Sequence, residues 1–368
     1  MPESHAVLDC VFLFMIFWSV SAVTNAVLDL TDCPTQTISL HRAVLKDSMI
    51  EAFKNPEILR VNLAVTFISN SGKEEEGKGA GVFRDALSTF WNQFFNSLSV
   101  GAQEKVPAIR HDYQRGEWEA IARILVYGYM KEKYFPLSLS RGFVALCLFG
   151  EEGMGSDFLL SAFRLYISED EREAFQKCLT DTFLPNDDDI LDFLSSYKCF
   201  RSPSKENIMQ IVSELAHQET VQKPRYIMNC WAPIVKSLIT FPEFTSVTAL
   251  ENLYEVKRPT AKKVIKLIKS EPVTEQERQC LDHLQKYIRS LSGETLSLFV
   301  QFISGSNVIA FDRIEVGFTT LEGTARRPIA HTCGPLLEIP STYQSYNELP
   351  EEFSELLQQR DSWQFNIV

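Results

Sequence analysis

The chain has 368 residues, 45% apolar and 23% charged, with 26 phenylalanines, which is enough for a substantial core and argues against long disorder. Its formal net charge of −12 argues against a general nucleic-acid binder, which needs concentrated Lys and Arg, and suits a protein partner with a basic face. The eight cysteines are scattered and none forms a CxxC pair, so neither a metal site nor a disulfide framework is suggested, and such thiols read as reduced and intracellular.

The N-terminal segment conflicts with that last reading. "CVFLFMIFWSVSAV", residues 10 to 23, is a 14-residue uncharged run, which suits a signal-peptide core better than a membrane span. "TNAV" around Ala26 is a candidate cleavage site. However, Glu3 and Asp9 precede the run and no Lys or Arg does, whereas a signal peptide wants a positive start. Residues 1–36 are therefore expected to be a leader of uncertain role, with membrane contact open only to residues 10–26. A secreted or luminal protein remains an alternative to a cytoplasmic or nuclear one.

From about residue 37 the pattern predicts one continuous globular region. "AVLKDSMIEAFK" sets Val44, Met49, Ile50 and Phe53 at helical spacing, and Pro56 ends it. "VNLAVTFIS" predicts a strand with Leu63, Val65 and Phe67 on one face. The loop "NSGKEEEGKGAG" then leads into "RDALSTFWNQFFNSL", whose Leu87, Phe90, Trp91, Phe94 and Leu98 form one helical stripe. A glycine-rich loop between strand and helix is suggestive of phosphate binding. Its spacing is neither GxGxxG nor GxxxxGK[ST], so it reads as a flexible turn feeding a helix.

Helices dominate the middle of the chain. "WEAIARILVYGYM" and "SRGFVALCLFG" are predicted buried helices. Ser168 and Glu171 form a capping box before "REAFQKCL". The aspartates of "NDDDILDFL" suit a helix N-terminus and lack the ligand spacing of a calcium loop. Ser204 is expected to start "KENIMQIVSEL". A break falls at "KLIKSEPVT", residues 266 to 274, where Pro272 ends one helix and a Thr274–Glu277 capping box opens the next. "ETLSLFVQFIS" is another helix, with Gly305 at its C′ position. Alternation at Ile314, Val316 and Phe318 signals a strand, "LLEIP" a second, and "YNELPEEFSELL" a last helix with Asn347 as cap and Pro350 in its first turn. The expected fold class is α+β, with a mostly helical lobe over residues 37–268 and a smaller α+β lobe over 269–368.

Cys333 stands out among the thiols. It lies between Thr332 and Gly334, with Pro335 next, where the chain turns between strand-like segments. Small neighbours leave its sulfur open to attack, which a packing role does not require. His331 is two residues earlier and, in extended backbone, would share its side. It could lower the thiol pKa or orient the loop by bonding a backbone carbonyl. The second role is favoured, because no Asp or Glu stands nearby in sequence to orient it as a base. The other seven cysteines read as core or inert.

"HTC" followed by "LLEIPSTYQSYNEL" resembles the signature around the active cysteine of HECT-type ubiquitin-protein ligases. "FVQFISGSNVI" and "LAVTFISNSGKEEEGKGAGVFRDALSTFW" are similar to further family segments, with Gly81, Val82, Arg84 and Asp85 matching, as is "EWEAIARILVYGYM". The resemblance covers about residues 37 to 368 and is nearest to short, divergent vertebrate HECT-like proteins. It implies a bilobal HECT domain in which Cys333 accepts ubiquitin from a ubiquitin-conjugating enzyme as a thioester and passes it to substrate lysines. His331, Thr332 and Phe365, four positions from the end, would support that transfer. No cofactor or metal is implied. The conjugating enzyme would dock on residues 155 to 240, and 266 to 274 would be the hinge. Gly334-Pro335 departs from the usual Phe-Asn, and only about 36 residues precede the domain. Both departures leave room for a non-catalytic module that binds ubiquitin or a conjugating enzyme.

Overall fold

A computed structural model describes residues 33–358 apart from 76, 78, 181 and 182. The apolar run at 10–26, Cys10 and Phe365 lie outside the described residues. The fold is α+β, and its described residues bury two separate apolar clusters.

The chain enters through β1 (Thr35–His41) and α1 (Leu45–Phe53) before β2 (Asn62–Ile68) pairs with β1 in parallel, Thr35 opposite Asn62 and His41 opposite Ile68. β1 was not foreseen, and it starts slightly ahead of 37. Its segment mixes polar and apolar positions, and only Ile38 and Leu40 are buried. α2 (Ala80–Ser97) comes next, then a short antiparallel pair, β3 (Ser99–Val100) and β4 (Val106–Pro107), then α3 (Arg115–Glu132). α3 is buried on nearly every side from Trp118 to Tyr129, as is α4 (Arg141–Phe149) from Arg141 to Leu148. A helix without a wet face belongs at the centre of a core. Trp91, Trp118 and Trp231 are at most 1% exposed there; Trp91 and Trp231 meet edge to face at 6.3 Å.

A run of shorter helices packs around this centre: α5 (Ser156–Tyr166), α6 (Glu169–Cys178), α7 (Asp188–Ser196), α8 (Ile208–His217), α9 (Arg225–Val235) and α10 (Val247–Lys257). The capping box predicted at Ser168–Glu171 is formed, and Asp187 caps α7 through the amide of Asp189. The helix expected from Ser204 begins only at Ile208, because Asn207 turns its side chain back to the Ser204 amide at 2.7 Å. That is the local bonding by which Asn competes with helix.

The second cluster is built from α11 (Ala261–Leu267), β5 (Ile268–Lys269), α12 (Glu275–Ser290), α13 (Gly293–Ser304), β6 (Ile314–Thr319), β7 (Ile329–His331), β8 (Leu336–Pro340) and α14 (Glu348–Gln358). The sheet runs β5-β6-β8-β7; only the β7–β8 pair is antiparallel. The Thr274–Glu277 capping box opens α12, and Gly305 ends α13 at φ 77°, left-handed as its C′ position requires. The change of core does not fall at 268/269. Val264 is fully buried in the second cluster and β5 joins its sheet, so the crossing lies at residues 258–260. Pro272 does break the chain locally, but strand pairing anchors the segment before it to the second cluster. After Gly305 the chain touches the first cluster again: Val308 is buried there, and the Ile309 amide donates to the Lys257 carbonyl at 2.9 Å. Among the described residues no helix is long and apolar enough to cross a membrane.

Phe353 of α14 stacks on Tyr287 at 5.2 Å and packs against Phe299 at 5.4 Å. Phe353→Ala is expected to cost about 3–5 kcal/mol, read from the urea midpoint. A loss below about 1 kcal/mol would show that α14 adds little to the second core.

Candidate functional site

β7 and β8 form a hairpin with Ile329 opposite Glu338 and His331 opposite Leu336. Residues 332–335 make its turn. Gly334 has no atom within 4 Å of where a Cβ would stand, and the Pro335 carbonyl accepts from the Glu315 amide at 2.8 Å. The turn is thus pinned to β6 on one side and open on the other. Cys333 is exposed at its tip, the single one of the seven described cysteines in that class. Cys147, Cys178, Cys230 and Cys280 are buried. Burial pushes the Cys178 thiol up to about 11 and the Cys280 thiol up to about 12, and raises those of Cys147 and Cys230. Those four are poor nucleophiles near neutral pH, because the thiolate is the reactive form.

Thr332 is buried and turned toward the start of α2: a Cβ on Gly81 would overlap its Oγ1. Gly79 precedes that helix at φ 105°, and a Cβ there would stand 3.1 Å from the Cys333 sulfur. Both glycines therefore serve close approach of the hairpin turn to the helix N-terminus.

Arg84 holds this junction together. Its Nη2 donates to the Thr332 carbonyl at 2.5 Å and to the Cys333 carbonyl at 3.5 Å, its Nε to the Ser304 carbonyl at 2.8 Å, and its Nη1 to Glu132 Oε2 at 3.3 Å. One guanidinium thus joins α2, the end of α3, the end of α13 and the Cys333 turn. Next to it, Asp85 accepts from Gln301 Nε2 at 3.1 Å and from Arg42 at 3.2 Å. Arg42 also holds the buried Glu75 at 2.5 and 2.8 Å. Ser88 donates to the Gly305 carbonyl at 2.9 Å and accepts from the Asn307 amide at 3.2 Å. The loop expected to be a flexible turn is consequently tied down through Glu75.

Burial lowers the Arg84 pKa even though Glu132 and Cys333 oppose it, and burial raises the Glu132 carboxyl to about 7 against the pull of Arg84 and Lys131. Desolvation outweighs Coulomb attraction on both sides of this pair.

His331 does not behave as its sequence neighbours suggested. Its Nε2 meets Glu338 Oε2 at 2.9 Å. The acid that is missing nearby in sequence stands seven residues away and is brought alongside by the antiparallel register. Arg84, Asp85 and Glu132 were not assigned roles from sequence. The signal for the first two was a buried-looking helix stripe interrupted by Arg84, Asp85 and Ser88, on one turn of α2. Phe365 lies outside the described residues. The sequence matches no model of a known protein family, and no curated protein shows significant similarity to it.

Glu132 supplies a pH test. Its folded pKa lies above the ordinary carboxyl value of 4.5, so the folded state binds the extra proton and the stability Glu132 contributes is full below 4.5 and lost as pH rises through about 7. Glu132→Gln removes that titration. Its effect on unfolding free energy should move in the stabilising direction by about 2–4 kcal/mol between pH 4.5 and 8, measured by urea denaturation across that range. A flat difference between variant and parent would refute the assignment.

Proposed function

We propose that the chain is a HECT-type ubiquitin-protein ligase with Cys333 as the acyl-carrying nucleophile. The observation that carries this reading is the exposed residue Cys333 at a pinned hairpin tip, while four of the other described cysteines are buried. The sequence resemblance around the same residue supports it. A conjugating enzyme brings ubiquitin as a thioester. The Cys333 sulfur attacks the carbonyl carbon, the new C–S bond forms, and the enzyme's own thiolate leaves. A substrate amine then attacks the second thioester and Cys333 leaves in turn. One thioester replaces another, so the first step needs proximity more than driving force. The setting would be the cytoplasm or nucleus, where charged conjugating enzymes are supplied.

The docking surface proposed at 155 to 240 has physical support. Leu184 and Phe200 are 62% and 85% exposed, and Leu191 and Met209 are exposed beside polar neighbours. Phe200, the most exposed of them, is a large apolar side chain that a partner could cover. Residues 258–260 and 305–309, which cross between the two cores, are the places where the cores could change orientation.

The second reading, a non-catalytic binding module, is favoured by the grip of Arg84 on the Cys333 turn and by Gly79, where an added Cβ would stand 3.1 Å from the sulfur. Both fix the turn against α2. The two readings separate on incubation with activating enzyme, conjugating enzyme, ATP and ubiquitin. A ligase gives a ubiquitin adduct that thiol reductant removes, that Cys333→Ala abolishes, and that Cys333→Ser converts to a reductant-resistant ester. Binding without an adduct selects the module. Phe200→Asp is expected to weaken conjugating-enzyme binding at least tenfold, about 1.4 kcal/mol, without loss of thermal stability. Unchanged affinity would move the docking surface elsewhere.

A further inference from the structure

A cleft of about 760 Å³ lies between the two cores, within the size range of small-ligand sites. Asn92, Phe95 and Asn96 of α2 line it from the first core, and Ser297, Leu298 and Gln301 of α13 from the second. Gln301 stands out in that wall. It is 5% exposed, its Nε2 donates to Asp85 Oδ1 at 3.1 Å, and its buried Oε1 has no hydrogen-bond donor among the described residues. Such acceptors are rare, because an unmet buried carbonyl forfeits the bonds it made to water. We infer that this cleft is a binding site for a short peptide segment, held between both cores by carboxamide side chains, with a peptide N–H supplying the donor that Gln301 lacks. The inference holds whether or not Cys333 carries an acyl group.

The lining selects the chemistry. The side chains of Asn92, Asn96 and Gln103 make no hydrogen bond to other described residues. A carboxamide presents a donor and an acceptor side by side, as a peptide group does. Charge favours a nearly neutral guest. Glu104 is engaged by Arg141 at 2.6 Å. The charged side chains left in the lining, Arg258 and Glu294, have opposite signs and no ion pair among the described residues. A polyphosphate or a nucleic-acid strand would need several cations there. A nucleobase would need an aromatic face, but Phe95 and Tyr134 are 8% and 1% exposed. Leu137, Leu165 and Leu298 are half-buried in the lining and offer a peptide's apolar side chains a surface to pack on. Arg258 suits one carboxylate.

The cleft shares residues with the contact between the cores. Asn307, also in the lining, accepts from the Tyr134 hydroxyl at 2.9 Å, and its amide donates to Ser88 at 3.2 Å. Gln301 and Asn307 thus belong both to the cleft and to the bonds that join the second core to the first. A peptide touching both walls binds only while the cores hold this arrangement, and its binding stabilises it.

The test pans a phage-displayed library of random heptapeptides against the full chain and measures the selected peptides, made synthetically, by calorimetry. The expected result is a peptide with Kd below about 1 mM that raises the thermal unfolding midpoint. Its affinity falls at least about tenfold in Ser297→Trp, which fills the cleft, and in Arg258→Glu, and it is unchanged in Cys333→Ala. Arg258 is exposed, so its variant carries the test alone if Ser297→Trp does not fold. The inference is overturned if no peptide binds below that limit, or if every selected peptide binds the cleft variants as it binds the parent. Loss of binding in Cys333→Ala overturns it by moving the peptide to the hairpin turn. Displacement of the peptide by inorganic tripolyphosphate overturns it by making the cleft an anion site.

Discussion

A guanidinium withdrawn from water is tolerated only when its donors find acceptors, and Arg84 finds them on three other parts of the chain. Two are backbone carbonyls at the Cys333 turn, one is the carbonyl ending α13, and one is the Glu132 carboxylate. Backbone carbonyls cannot be moved without moving the backbone. The position of the thiol is therefore set by where α2 holds Arg84, some 249 residues earlier in the chain. Hydrogen bonds to a charged group contribute about 1.5–3 kcal/mol each, and leaving a buried charge without partners costs more than any one of them. No other described interaction ties both apolar clusters and the exposed thiol through a single side chain.

The glycines around this contact are required by it. With Thr332 lying over the first turn of α2, any side chain at 81 would collide with backbone as well as with the threonine hydroxyl. Gly305 has the same constraint from the other side. Its φ of 77° ends α13, and a Cβ there would overlap the Gly81 carbonyl. One glycine thus answers both a helix-termination need and a close-approach need, whereas Gly81 answers only the second. The three glycines at 79, 81 and 305 mark where backbones meet, a reading that phosphate-loop spacing could not supply.

What was legible in the sequence was what local physics controls. The capping boxes at Ser168 and Thr274, the helix stop at Gly305 and the alternation at Ile314, Val316 and Phe318 each depend on residues within a few positions. Cys333 was legible because its neighbours are small and turn-forming. What was not legible depended on distant register. His331 found Glu338 across a hairpin, Glu75 found Arg42 thirty-three residues away, and β1 drew its identity from pairing with β2 rather than from its own pattern. The side of the break on which β5 belongs is set the same way. Pro272 is a strong local break, but β5 before it is held by a strand more than forty residues later.

The closed junction also sets what the proposed chemistry requires. Thioester exchange is nearly balanced, so the reaction itself supplies little energy for separating α2 from the hairpin turn. The bonds of Arg84, Asp85 and Ser88 across the junction together amount to several kcal/mol, comparable to the whole stability of an ordinary domain. If Cys333 is to meet a carbonyl on a bulky partner, that partner's binding must compensate for whatever part of the junction is broken. Otherwise the partner must approach from the open side of the turn, where Gly334 leaves space. The second route keeps Arg84 and its bonds to the turn in place.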